Sequence, residues 1–363
     1  MKKLKFVCQN DRQKQFAIQV RKNVNHYFEE NGISMKSNFG MVLKTVIMLS
    51  FYIIPFVFIM TIHTSIWVAL LLVILMGIGA AGIGMNVMHD AVHGAFSKSD
   101  RWNKILGGTM YLLGGNVYNW KIQHNVFHHA YTNIDGVDED IASKGPIRLS
   151  EHARLRKIQR YQYIYAFFFY GLMTISKLVM DFIQLFRYNK SGLTRKYQIN
   201  PTMEYIRMVG IKIIYLFIFV GLPIIYTDFK WWQVVLGFFI MHLVVGGILS
   251  TIFQMAHVVE GAEQPMPDVD GVVACEWAVH ELHTTSDFAR DNLFLNWYVG
   301  GLNFQIEHHL FPNICHVHYR KISPIVEQTA KQFGFEYNLK PSFSNAFASH
   351  VMRLKDLGRT QAK

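Results

Sequence analysis

Cysteine and charged residues are both scarce in this chain of 363 residues. Cys8, Cys275 and Cys315 lie far apart, form no Cys-x-x-Cys pair and cannot all be joined in disulfides. This pattern indicates a reducing compartment. Charged residues make up 17% of the chain, where an ordinary soluble domain has roughly 25%. Because 51% of the residues are hydrophobic, the composition predicts that much of the chain avoids water.

The N-terminus lacks the apolar segment of a secretory signal, and the chain lacks low-complexity tracts. Residues 1–16 carry charge but no apolar run, which argues against a cleaved signal peptide. The first true membrane span must then direct insertion. No repeat is visible beyond the two apolar hairpins, which differ in detail, so the economical prediction is one catalytic domain over residues 1–363.

Four apolar stretches are long enough to cross a hydrocarbon core of ~30 Å, which takes about 20 helical residues. They form two pairs, and short linkers join the members of each pair. The stretches cover residues 41–60, 66–88, 206–226 and 231–255. The sequence therefore predicts an all-α integral membrane protein with four transmembrane helices in two hairpins, 41–88 and 206–255. A basic segment 1–40 and the longer segments 89–205 and 256–363 lie outside the spans.

The net charge of +11 has two explanations. In a soluble protein it would suggest nucleic-acid binding, whereas in a membrane protein it reflects cytoplasmic loops rich in Lys and Arg. Eight Lys and Arg lie in residues 1–40, fifteen in 89–205 and nine after His257, against one, Lys230, in the two linkers. This asymmetry predicts that all long segments form a cytoplasmic helical cap, and no nucleic-acid partner is expected.

Two further apolar segments do not fit a simple span. Residues 105–120 are apolar but short and rich in glycine, which favours a re-entrant or interfacial helix. Residues 161–186 form a longer segment interrupted by Lys177 and Asp181, which favours an amphipathic helix in the membrane interface.

Histidine is concentrated in three clusters that hold seven of the seventeen histidines. Each cluster has the i, i+3 or i+4 spacing that places side chains on one helix face. Imidazole suits iron, zinc, copper or nickel, and seven imidazoles are too many for one tetrahedral zinc, so two metals are predicted. By spacing, His124 and His128 reach one metal and His129 could reach the other. The clusters are His89 and His93, then His124, His128 and His129, then Gln305, His308 and His309.

Other histidines are candidates of lower rank. His257 leaves the fourth span at the same depth as His89 leaves the second, which makes it the best additional ligand. His280, His283, His316 and His318 could complete the metal shell, support it through hydrogen bonds, or be ordinary interfacial side chains. The lone residues His242 and His63 are better explained as satisfied structural side chains than as ligands.

The absence of one sequence motif narrows the kind of metal chemistry. Soluble di-iron carboxylate proteins use Glu-x-x-His pairs, and this chain has none. Imidazole-bound irons beside a bilayer suggest oxygen activation aimed at an unactivated C–H bond of a lipid chain. A membrane metal transporter is the non-enzymatic alternative, but transport would place ionisable residues in the middle of the spans.

The clusters resemble those of membrane fatty-acid desaturases, which carry HxxxH, HxxxHH and a third box of HxxHH or QxxHH type. The resemblance covers residues 41–319. Gln305, in the run NFQIEHHLFP after WYVGGL, is similar to the third box of front-end acyl desaturases, including bacterial linoleoyl-CoA desaturase-like proteins. Those enzymes insert a double bond between an existing one and the carboxyl end.

The resemblance implies a site and a reaction. It implies two iron ions, with O2 as co-substrate and a fatty acyl-CoA or an acyl-lipid as substrate, desaturated at the delta-6 or delta-5 position. An acyl hydroxylase, an alkane monooxygenase or a sphingolipid desaturase remains an alternative on the same site. The implied iron ligands are His89, His93, His124, His128, His129, His257, His308 and His309, with Gln305 in the box position that is otherwise histidine.

Electron supply and location follow from the same resemblance. Many eukaryotic front-end members carry a fused b-type cytochrome domain with an HPGG motif, and residues 1–40 contain no such motif. We therefore expect a separate electron carrier, either a ferredoxin or a free b-type cytochrome with its reductase. The expected location is a bacterial inner membrane rather than the endoplasmic reticulum, with the active site facing the cytoplasm.

Overall fold

The computed structural model describes residues 4–142 and 145–361, and most of them are helical. The chain begins with strand β1 (Lys5–Phe6) and helix α1 (Asp11–Glu30). Asn10 caps α1, because its side chain accepts a hydrogen bond from the backbone N–H of Gln13. One face of α1 is buried against residues between 278 and 335, so this helix lies outside the membrane hairpins.

The first hairpin consists of α2 (Phe39–Thr61) and the continuous span Ile66–Val92. That span contains α3 (Ile66–Gly82), a π-helical segment (Ile83–Met88) and α4 (His89–Val92). The two spans pack along each other. His89 therefore lies in the last turn of the span, rather than just beyond it.

Between the hairpins the chain is broken into short helices. These are α5 (Asp100–Gly107), a 3-10 helix (Gly108–Leu113), α6 (Val117–Lys121), a π-helix (Ile122–His128), a 3-10 helix (Lys157–Tyr161), α7 (Gln162–Gly171), α8 (Met173–Lys190) and α9 (Leu193–Lys196). We expected one helix at 105–120 and one at 161–186, and this was wrong because each segment is divided into shorter helices. Gly114 breaks the first in a left-handed conformation, and a 74° bend between α7 and α8 breaks the second.

The second hairpin consists of the span Pro201–Tyr226 and helix α12 (Trp231–His257). The span contains α10 (Pro201–Leu216), a π-helical segment (Phe217–Gly221) and α11 (Leu222–Tyr226). The four predicted spans are thus confirmed, and each is extended at one or both ends. The protein is a multi-pass membrane protein.

The two hairpins pack through small residues on α3 and α12. A Cβ atom added at Gly77 would lie 2.7 Å from the Cβ of Val244 and 3.1 Å from the carbonyl oxygen of Met241. Lipid chains are as apolar as the helices, so close van der Waals approach at small residues stabilises such contacts. At the opposite end from α4, His63 and Asp228 join the two linkers through an exposed contact of 2.7 Å.

The remaining elements form a cap at the end of the hairpins where α4 and α12 terminate. They are β2 (Val272–Val273), α13 (Trp277–Thr284), β3 (Asp287–Phe288), α14 (Leu293–Tyr298), α15 (Gln305–Leu310), a 3-10 helix (His316–His318), α16 (Tyr319–Gln332), β4 (Leu339–Lys340) and α17 (Phe343–Leu357). Two short parallel pairs join β1 to β2, with Lys5 opposite Val272, and β3 to β4, with Asp287 opposite Leu339.

Candidate metal centre

Eight histidines converge where the spans meet the cap. His89, His93, His124 and His308 each offer a ring nitrogen, and these atoms lie within 4.8 Å of one another. A second group with the same spacing contains His128, His257 and His309. His129 lies between them, grouped with His308 and His309, and its Nε2 is 3.3 Å from the Nε2 of His124. The structure therefore brings together every histidine that the sequence nominated as a ligand.

The second histidine cluster lies on the π-helix at Ile122–His128 and at its end. The hydrogen bonds of this helix run from residue i to i+5, and the N–H of His129 bonds the carbonyl of His124 at 2.9 Å. The expected sharing of one metal by His124 and His128 stays a prediction, and these two residues also form a group with Asp140. The Nε2 of His124 lies 3.3 Å from that of His89, and His128 is also grouped with His257 and His309. The rings of His124 and His128 are stacked, with their centroids 5.2 Å apart.

Carboxylates orient the second group. His128 Nδ1 lies 3.0 Å from Asp138 and His309 Nδ1 lies 2.7 Å from Glu281, with all four side chains buried. A carboxylate that holds the Nδ1 proton leaves Nε2 free for a metal. Burial lowers the pKa of His309 and raises the pKa of Glu281, so burial opposes charge on both members of this pair. Burial alone would lower the pKa of His128, but the Asp138 carboxylate raises it.

Four of the eight rings are kept neutral by burial. Burial, reinforced by neighbouring imidazoles, lowers the pKa of His93, His129 and His308 well below the usual value. Burial lowers the pKa of His124 to about 3. Neutral imidazole is the form that binds a metal, so these rings need not release a proton on binding.

Several buried polar atoms at this place have no hydrogen-bond partner among the described residues. Buried polar groups are almost always paired, so such a concentration calls for an ion or another bound group. The donor set is imidazole with one amide, which suits iron, zinc, copper or nickel. The unpaired atoms include Nε2 of His93, His128, His308 and His309, both ring nitrogens of His257 and both amide atoms of Gln305.

A separate buried chain of contacts borders His89. Lys44 Nζ lies 2.8 Å from His316 Nε2, and His316 Nδ1 lies 2.8 Å from Asp90. An ammonium group can only donate, so Nε2 of His316 accepts and its Nδ1–H donates to the Asp90 carboxylate. Asp90 in turn is 3.8 Å from His89 Nδ1. His316 thus supports the site through Asp90 and lies outside the histidine groups.

The other low-ranked histidines make ordinary contacts. The Nε2 atoms of His280 and His318 lie 2.9 Å and 3.0 Å from backbone carbonyl oxygens, and His283 faces Glu263 at 3.7 Å. His242 contacts Thr174 and Tyr215. The interpretation of His242 as a satisfied buried side chain is therefore confirmed.

The helix that carries the third histidine cluster is held by two further buried acids. Asp287 accepts from the N–H of Ile306 at 3.0 Å, and the Tyr337 hydroxyl lies 2.6 Å from Asp287 and 2.8 Å from Glu307. Burial raises the pKa of both acids, so protonated carboxyl is favoured in this group. The arrangement anchors α15 through both its backbone and Glu307.

Sequence reasoning missed the acids and Lys44. Asp138 and Asp140 belong to a short acidic run soon after the second histidine cluster, and this run was the available signal. Glu281 stands beside His280 on α13, which gives a weaker signal, because its partner His309 is 28 residues away.

Comparisons with known proteins agree with this site. The family model described as "Fatty acid desaturase" matches residues 65–341. The chain is 34% identical over 347 residues to an sn-1 linoleoyl-lipid 6-desaturase of Synechocystis sp., covering 95% of this chain and 96% of that protein. It is 33% identical to an acyl-lipid (8-3)-desaturase of Physcomitrium patens, covering 95% and 72%. It is 28% identical to a probable Delta(5) fatty acid desaturase C of Dictyostelium discoideum, covering 95% and 76%.

Proposed function

Because this chain belongs to the fatty acid desaturase family, we propose that it desaturates the acyl chain of a membrane lipid on the carboxyl side of an existing double bond. The new bond lies at the delta-6 or delta-5 position, as the names of the relatives suggest. Those names also favour an acyl-lipid over an acyl-CoA as substrate. The observation that carries the proposal is the convergence of eight histidines, seven of them buried, beside the membrane spans.

The resident metals are two iron ions, held by the eight histidines. The donor set fits, since seven of these histidines present buried nitrogens without a partner among the described residues. His89, His93, His124 and His308 would hold one iron, and His128, His257 and His309 the other, with His129 between them. When bound, the irons supply the oxidising power with which dioxygen removes hydrogen from an unactivated C–H bond. Gln305 lies on α15 with His308 and His309, and both polar atoms of its buried amide lack a partner among the described residues.

The chain's own residues orient the site and balance its protons. Double-bond formation removes two hydrogen atoms from adjacent methylenes, and with two electrons and two protons these reduce one O2 to two waters. Asp138 and Glu281 fix the rings of His128 and His309 through Nδ1. Burial of all four groups excludes bulk water from this face, which strengthens the electrostatic interactions there.

The electrons come from a separate carrier, a ferredoxin or a free b-type cytochrome with its reductase. The active site faces the cytoplasm of a bacterial inner membrane, and residues 1–363 act as one catalytic domain. The excess of Lys and Arg in the cap-side segments supports this orientation and suits an acidic carrier.

Feeding and product analysis test the proposed reaction. The protein is expressed in a host without polyunsaturated lipids, linoleate is supplied, and new double bonds are located by mass spectrometry. We expect a trienoic acyl chain with the new bond on the carboxyl side, appearing first in glycerolipid. A hydroxylated product would reject desaturation as the reaction. A first double bond in a saturated chain would reject the proposed position of the new bond. A variant with His309→Ala is the inactive control.

A further inference from the structure

Four basic side chains stand together at the start of the second hairpin. Residues 187–200 contain Arg187, Lys190, Arg195 and Lys196 and no Asp or Glu. All four side chains are exposed, at the end of α8 and on α9, and they form no ion pair within the described residues. These four residues are called the basic corner below.

The basic corner lies at the boundary of the membrane. The third span begins at Pro201, directly after it. Large apolar side chains are exposed on both sides of the corner: Val179 and Phe186 on α8 are 64% and 60% exposed, and Met203 and Ile206 on α10 are 59% and 61% exposed. Such side chains require hydrocarbon around them, so the basic corner lies at the level of the lipid headgroups. Long Lys and Arg side chains commonly reach that level from an apolar surface.

The basic corner is fixed to the metal centre through packing. Tyr188 of α8 forms a buried cluster with Ile122 and Phe127 of the π-helix, and Leu193 of α9 packs on that cluster. The same π-helix carries His124 and His128. The depth of the basic corner in the bilayer therefore determines the depth of these two histidines.

We propose that the basic corner binds the phosphate-bearing headgroup of an anionic phospholipid in the surrounding bilayer. Four exposed cations beside a span form the pattern that attracts anionic lipid. A soluble acidic protein is the less favoured partner, because the exposed apolar faces of α8 and α10 keep the corner among the headgroups. The lipid is an anchor and not the substrate, so this inference is independent of the proposed reaction.

A binding experiment with matched variants tests the proposal. The full-length protein in neutral detergent is titrated with dipalmitoyl phosphatidylglycerol or dipalmitoyl phosphatidylcholine, and bound lipids are counted by native mass spectrometry. The corner variant is R187Q/K190Q/R195Q/K196Q. The control is R21Q/K22Q/R320Q/K321Q, which removes the same charge from exposed sites on α1 and α16 of the cap.

We expect the wild-type protein to bind phosphatidylglycerol about tenfold or more tightly than phosphatidylcholine, since each basic residue at a lipid surface contributes a factor of roughly five. The corner variant should lose this preference and the control should keep it. The single variant Lys190→Glu, which alters one exposed side chain, should weaken the preference several-fold while the protein elutes as before.

Three results would overturn the proposal. The first is a wild-type protein without any preference for phosphatidylglycerol. The second is equal loss of preference in the corner and control variants, which would assign it to diffuse charge. The third is a corner variant that keeps its lipid preference but loses turnover with an acidic electron carrier, which would assign the corner to a protein partner.

Discussion

At the scale of single residues, acids beside the histidines matter as much as the histidines themselves. An imidazole can bind a metal through Nε2 only when its proton is on Nδ1, and Asp138 and Glu281 are placed to hold it there. These acids are buried, so water does not screen their interaction with the imidazoles. The metal affinity of the site should therefore depend on groups that do not touch the metal.

Replacing Glu281 by Gln should weaken iron binding without preventing folding. The carboxylate that holds the Nδ1 proton of His309 is lost, and supporting groups of this kind are worth about 10–100-fold in metal affinity. Iron retention during dialysis against a graded chelator measures the effect. Glu336→Gln, an exposed site on the cap, is the control. Equal iron retention in the two variants would contradict the role given to Glu281.

His350 should make the protein sensitive to acid. Its Nδ1–H donates to the carbonyl of Val258 at 2.7 Å and its Nε2 accepts from the Tyr170 hydroxyl at 3.1 Å, so the folded protein holds it neutral. Burial lowers the pKa of His350 from 6.5 to about 4. Its stabilising contribution is therefore complete above pH 6.5 and is lost as pH falls towards 4.

Thermal unfolding from pH 8 to pH 4 measures this contribution. A shift of this size is worth at most about 3 kcal/mol, so His350→Gln, which cannot titrate, should lose less stability across the range than the wild-type protein. His26→Gln, at an exposed site on α1, should follow the wild-type curve. Identical slopes for the wild-type protein and His350→Gln would show that His350 is not held neutral by the fold.

At the scale of elements, the sequence predicts the spans but not the irregular helices between and inside them. Apolar length alone identifies the four spans, and their ends shift only because helical hydrogen bonds continue into the cap. The π-helix before His129 could not be predicted, since one extra residue in a turn leaves no mark in an apolar pattern.

The side chains that contact the site histidines could not be predicted from the sequence for a different reason. Glu281 meets His309 only after α13 and α15 pack, and Lys44 meets His316 across 272 positions of sequence. Local spacing predicts which histidines share a helix face, but contacts between distant elements depend on the tertiary structure. The eight histidines were therefore predictable, whereas most of their partners were not.

Close packing of α12 against α7 gives a prediction at this scale. A Cβ atom at Gly246 would overlap the carbonyl oxygen of Gly171 and lie 2.7 Å from that of Tyr170, whereas one at Gly247 would meet no atom within 4 Å. Gly246→Ala should destabilise the protein by about 1–3 kcal/mol, because backbone must move. Gly247→Ala is the matched control. Equal melting temperatures of the two variants in one detergent would contradict this packing.

At the scale of the whole molecule, the charge of the cap side suggests how electrons arrive. An acidic carrier would be steered to a basic surface at a rate that falls as salt rises, since a Debye length of about 8 Å applies at physiological ionic strength. In nanodiscs of neutral lipid, which remove the contribution of anionic lipid, turnover with added carrier should fall several-fold from low to high salt. Turnover without any carrier, or turnover indifferent to salt, would contradict this view.

The molecule is built so that two membrane hairpins and a cap meet at one cluster of imidazoles, and iron content tests that account most directly. Metal analysis of the purified wild-type protein should give two irons per chain. His89→Ala and His309→Ala, which alter different groups, should each lower the iron content while the protein still inserts in the membrane, and His63→Ala should leave it unchanged. A single zinc per chain, or full iron content in both site variants, would contradict the account.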